Sequence, residues 1–144
     1  MDEISLQTLI RLSLALFLGT LIGLERRLRH HSAGLHTNAL VALGAAAFVT
    51  AAITGGDESV ARMISQITVG IGFIGAGAIM RQGATVRGLN TAATVWCSAA
   101  IGVLCGMGIF GVAITTALLV LLANVLLHWL EHGPIKWSSE SNED

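Results

Sequence analysis

Tyrosine is absent from this 144-residue sequence, proline occurs once (Pro134), and only 12% of the residues are charged. A soluble domain carries about a quarter charged residues, so this chain has half the charge that a water-facing surface needs. The net charge of −1 provides no basic field, which excludes nucleic acid as an expected partner. Cysteine is scarce too. Cys97 and Cys105 sit eight residues apart in an apolar run, which is neither a CxxC redox pair nor a zinc pattern; both read as small buried hydrophobes. No nucleophile–base pair or ligand cluster stands out. No enzyme activity and no cofactor is therefore expected, and metal binding is left open. Met1-Asp2-Glu3 is acidic where a cleavable signal peptide is basic, so the first hydrophobic segment is expected to stay as a membrane helix.

What is present is apolar: 53% hydrophobic residues and 17 glycines. A spanning helix needs about 20 mostly apolar residues, and the charges divide the chain into runs of that length. They cover Ile4 to Leu24 (interrupted by Arg11), Leu35 to Thr54, and Met63 to Met80. From Gly88 to Leu130 there are 43 residues without Asp, Glu, Lys or Arg. One helix cannot span that, and Gly106-Met107-Gly108 is the expected break. The expectation is an all-α polytopic membrane protein of five helices over residues 1–132. A short, acidic, disordered tail is expected over 133–144.

Loop charge sets the expected orientation. Arg26, Arg27 and Arg29 follow helix 1, Arg81 and Arg87 follow helix 3, and Lys136 follows helix 5. Asp2, Glu3, Asp57, Glu58 and a single Arg62 fall on the other side. The positive-inside rule then puts the N-terminus outside and the C-terminus in the cytoplasm. Phe17-Leu18-Gly19 echoes Phe73-Ile74-Gly75, and Gly34-Leu35-His36-Thr37 echoes Gly88-Leu89-Asn90-Thr91. These echoes suggest a parallel repeat of helices 1–2 and 3–4, against the alternative of chance similarity in apolar sequence.

Gly70-Ile-Gly72-Phe-Ile-Gly75 matches a dinucleotide-binding fingerprint by letter, but no strand precedes it and no acidic residue follows at about 20 positions. Gly19, Gly23, Gly70, Gly72, Gly75, Gly77, Gly102 and Gly106 read instead as sites of close helix packing, within one chain or between chains of a homo-oligomer. Arg11 is expected to pair with Asp57 or Glu58 or to reach the outer headgroups. Glu25 is expected to pair with Arg81 or Arg87, the alternative being a cation or proton contact. Thr37-Asn38 and Asn90-Thr91 open helices 2 and 4 and read as caps. The alternative is that two helix N-termini converge with Arg26, Arg81 and Arg87 into a spot for an anion or an acidic partner group. Gln66, Thr94, Ser98 and Asn124 read as polar glue between helices. Trp96 reads as packing, and Trp129 and Trp137 as an interfacial belt. His128, Glu131 and His132 read as surface at a helix end.

Several strings together carry a family resemblance. They are Gly23-Leu24-Glu25-Arg26, Ala33-Gly34-Leu35-x-Thr37-Asn38, Asp57 with Arg62 and Gln66, Gly70-Ile-Gly72-Phe-x-Gly75-Ala76-Gly77 with Arg81, and Val86-Arg87-Gly88-Leu89-Asn90-Thr91-Ala92-Ala93 with Trp96. In order and spacing, residues 5 to 130 resemble the MgtC/SapB family. The resemblance implies a bacterial inner (plasma) membrane protein tied to growth at low magnesium and, in pathogens, to survival inside phagocytes. It also implies a role as modulator of other membrane machinery, including the ATP synthase, with a magnesium transporter or channel as the alternative. Its functional candidates fall here on Glu25, Arg26, Asp57, Arg62, Arg81, Arg87, Asn90 and Thr91. Two features depart from the family pattern: the family's soluble C-terminal domain is not expected after the apolar part, and His36 stands where the pattern has Arg. Magnesium is usually bound through carboxylates, and no Asp or Glu lies deep in any apolar run. That favours the modulator; a hydrated-ion path through carbonyls and Asn side chains is the alternative.

Overall fold

The computed structural model describes residues 6–29, 33–55 and 60–132. Asp57, Glu58, Trp137 and the expected tail lie outside the described residues, as do the side chains of His128, Glu131 and His132. The elements are α1 (Leu6–Leu28), α2 (Leu35–Thr54), α3 (Val60–Ala78), β1 (Met80–Gln82), β2 (Thr85–Arg87), α4 (Leu89–Met107) and α5 (Phe110–His132). All five helices are long and apolar enough to cross a membrane. The first helix runs beyond Leu24 and carries Glu25, Arg26 and Arg27 in its last turns.

The expectation of an all-α chain needs one correction. β1 and β2 pair as an antiparallel ribbon, Met80 opposite Arg87 and Gln82 opposite Thr85, around Gly83 and Ala84. Gly83 has φ +62°, as a two-residue hairpin turn requires. Arg81 Nε donates to the Gly83 carbonyl at 3.1 Å and fastens the turn.

Small residues decide how the helices meet. A methyl added at Gly19 would lie 2.6 Å from the Asn38 carbonyl oxygen, and one at Gly23 would lie 2.7 Å from Leu35 Cα. α1 therefore lies backbone-to-backbone against an antiparallel α2. A methyl at Gly102 would overlap the Ala42 carbonyl, and one at Gly106 would lie 2.8 Å from the Ala46 carbonyl. Ser98 meets Asn38 four residues earlier on each helix. The constant offset of 60 means that α2 and α4 run parallel. In lipid, where apolar contact has no hydrophobic drive, such close backbone approach is what holds helices together.

α4 sits at the centre, buried on several sides, and α3 and α5 lie at the periphery with most of their surface outward. α3 meets α4 through Gly75, where an added methyl would lie 3.6 Å from Ala92 Cβ, and through Ile71. A methyl added at Gly70, Gly72 or Gly77 would meet nothing within 4 Å. Among the described residues, nothing covers the outer side of those three glycines. Trp96 is half exposed rather than buried, and lines a groove with Ile67 and Ile71 between α3 and α4.

α4 ends where the Gly106-Met107-Gly108 break is expected. Gly108 takes φ +80°, its N–H donates to Cys105, and Ile109 N–H donates to Leu104, which is a Schellman arrangement. The next free carbonyl, Gly106, accepts 3.1 Å from Arg11 Nη1. Arg11 is thus held by the carboxyl end of α4, a placement that a helix dipole favours; the expected partners Asp57 and Glu58 lie outside the described residues.

Candidate functional site

One face of α4 is polar inside an apolar bundle. Asn90, Thr94 and Ser98 recur at four-residue spacing, with Thr91 beside them. Thr91, Thr94 and Ser98 are buried, as are Asn38 of α2 and Arg26 of α1. Ser98 Oγ donates to Asn38 Oδ1 at 2.9 Å. It is also within 3.1 Å of the Thr94 carbonyl. Thr94 Oγ1 donates to the Asn90 carbonyl at 2.9 Å. Asn38 Nδ2 donates to the carbonyls of Ala33 and Gly34 at 3.1 and 2.9 Å. The result is a hydrogen-bonded seam joining the start of α2 to the interior of α4.

The capping expectation is corrected by these bonds. The N-cap positions are Gly34 and Gly88, and neither α2 nor α4 has a side-chain cap. Asn38 uses its amide to hold carbonyls of the preceding turn. Gly88 has φ +92° and lies so close to Ala78 that only glycine fits.

Arg26 marks the end of the seam. Only 1% of it is exposed. Its Nη2 lies 3.5 Å from Thr91 Oγ1, at the outer limit of a hydrogen bond, and its Nε has no partner. Glu25, its neighbour in sequence, faces elsewhere. Glu25 Oε1 pairs with Arg29 on its own helix at 2.5 Å, and Oε2 accepts from Asn124 Nδ2 of α5 at 3.4 Å. The expected pairing of Glu25 with Arg81 or Arg87 is therefore replaced by a bond to α5. Among the described residues, no carboxylate forms an ion pair with Arg26.

The structure brings Arg26, Thr91 and Asn90 to one end of the bundle. Glu25 and the hairpin bearing Arg81 and Arg87 are at that same end, with Arg81 and Arg87 both exposed. Arg62 opens α3 at the opposite end and is exposed; Asp57 lies outside the described residues. The N-termini of α2 and α4 are staggered: the register of 60 puts Gly34 level with Thr94, six residues or about 9 Å inside the start of α4. Asn38 was legible as a polar residue near a helix start. Its partnership with Ser98, 60 residues away, carries no local signal.

Residues 12–132 match the model of the MgtC family. The chain belongs to the MgtC family. It is 56% identical over 119 residues to Protein MgtC of Salmonella typhimurium strain LT2, a match covering 83% of this chain and 52% of that protein. It is 54% identical over 114 residues to Protein MgtC of Brucella abortus strain 2308, covering 78% of this chain and 48% of that one. An uncharacterized protein of Synechocystis is 48% identical over 134 residues, covering 90% and 57%. The chain spans about half the length of the curated relatives it matches. No solved structure matches. With five helices of spanning length, this MgtC-family chain is a multi-pass membrane protein.

Proposed function

We propose that this MgtC-family chain works in the bacterial inner membrane as a modulator of another membrane protein during adaptation to low magnesium and, in pathogens, survival inside host cells. The partner that the family resemblance suggests is the ATP synthase. The arginines of the α1 end and the hairpin share one end of the bundle, which supports a cytoplasmic C-terminus and an outer N-terminus by the positive-inside rule.

The seam is the observation that carries this reading. Its side chains hydrogen-bond to one another and to backbone, and the one fully buried charged side chain among the described residues is the cation Arg26. A divalent cation moving along that face would meet like charge and no carboxylate, and magnesium leaves its waters reluctantly. The second support is α3, where a methyl added at Gly70, Gly72 or Gly77 would meet none of the described residues within 4 Å while exposed Gln66 lines a groove of about 600 Å³ between α2 and α3. Small residues and a polar group on a lipid-facing helix suit a second membrane helix, from another protein or from a second copy of the chain.

Site-specific photocrosslinking in living cells tests the partner. A photoreactive residue at position 72 is expected to join the chain to a membrane subunit of the ATP synthase. The same residue at exposed Leu119 of α5 is the control. Equal or absent adducts at the two positions would overturn the reading.

A further inference from the structure

Arg26 is buried beside the uncapped start of α4, and among the described residues no carboxylate forms an ion pair with it. A helix N-terminus is itself electropositive, with free N–H groups in its first turn. α4 has no side chain capping that turn, and its Gly88 carbonyl accepts from Ala92. Arg26 extends into this end of the helix, with Nη2 at Thr91 Oγ1 and Nε unsatisfied at 1% exposure. A buried guanidinium therefore lies beside an electropositive helix start whose Leu89 and Asn90 are exposed. The nearest acid in sequence, Glu25, is spent on Arg29 and Asn124. A buried guanidinium without an ion-pair partner is costly; Glu25 acts on it through space only, and an anion beside it would offset that cost.

We propose that Arg26 and the first turn of α4 together bind a phosphate group. The guanidinium fork matches phosphate oxygens bidentately. The N–H groups of Leu89, Asn90 and Thr91 supply the donors that a helix start offers to phosphate, and the Thr91 hydroxyl, which accepts from Arg26, keeps its own proton to donate. Phosphate is favoured over a divalent cation, since a guanidinium and the N–H groups of a helix start are donors. Both inorganic phosphate and the headgroup of an anionic phospholipid present this chemistry. The site stands apart from the modulator reading, since it would exist with or without a partner protein.

The test uses the full chain, purified in a neutral detergent without phosphate and also placed in nanodiscs. Radiolabelled inorganic phosphate is titrated at constant ionic strength in phosphatidylcholine nanodiscs. Retention of phosphatidylglycerol through detergent exchange is followed by native mass spectrometry. Saturable phosphate binding identifies the free ion as ligand; retained phosphatidylglycerol without phosphate binding identifies the headgroup. In either arm Arg26→Gln is expected to weaken binding about tenfold or more, and Thr91→Val to weaken it less. Arg27→Gln, an exposed charge one residue on, is expected to bind as the parent does. Should Arg26→Gln not fold, Thr91→Val decides: weakened binding supports the site and unchanged binding overturns it. The proposal is also overturned if the folded parent binds neither ligand saturably, if Arg26→Gln binds normally, or if Arg27→Gln loses binding equally.

Discussion

Arg11 Nη1 and the Gly106 carbonyl lie 3.1 Å apart across 95 residues of sequence. The bond ties the first helix to the carboxyl end of the central one. It satisfies a carbonyl that the Schellman turn at Gly108 leaves over. Arg11→Gln is expected to lower stability by about 1–2 kcal/mol through loss of a charge at a helix C-terminus. Arg11→Lys should keep part of it. Unfolding in mixed micelles measures this, and an unchanged Arg11→Gln protein would mean that the bond contributes nothing.

Ser98 and Asn38 form a second long-range bond. Ser98→Ala leaves Asn38 Oδ1 without its donor in a site with no exposure. Hydrogen bonds between membrane helices contribute about 0.6–1.7 kcal/mol, so a loss in that range is expected. A double-mutant cycle with Asn38→Ala should recover the coupling. Additive single effects would show that the two side chains act independently.

The glycines divide into two groups with opposite expectations. Gly102→Ala forces its methyl into the Ala42 carbonyl and should cost about 1–3 kcal/mol. Gly70→Ala enters open space and should leave the isolated chain as stable as before or slightly more so, since alanine favours the helix. Equal losses at both positions in dilute detergent would contradict the packing described.

Much of this fold was legible because charge is so expensive in lipid that it punctuates the chain. The second helix was read at Leu35 to Thr54, where the structure has it, since apolar residues run unbroken between polar loops. The break at Gly106-Met107-Gly108 was legible because a left-handed residue ends helices and glycine adopts it freely. The hairpin over 80–87 was not, since three-residue strands leave no periodicity to read. Nor were the partners of Arg11 and Glu25, which are 95 and 99 residues distant. Composition also cannot say which glycine face turns inward. Gly102 and Gly72 look alike in sequence, and only the position of α4 at the centre and α3 at the edge separates them.

Thr50 has a buried hydroxyl with no hydrogen-bond partner. Thr50→Val removes that unsatisfied group at nearly constant volume. It should raise stability by about 1 kcal/mol, seen as a higher unfolding midpoint. A lower midpoint would show that the hydroxyl is satisfied in the membrane.

The account's central claim is that the polar seam along α4 is a closed structural element and not an ion path. Magnesium entry into liposomes holding the folded, inserted chain, followed with an internal dye, tests it most directly. Entry no faster than into empty liposomes is predicted. Entry well above that background, and lost in Asn90→Ala, would contradict the account and make the start of α4 part of a magnesium path.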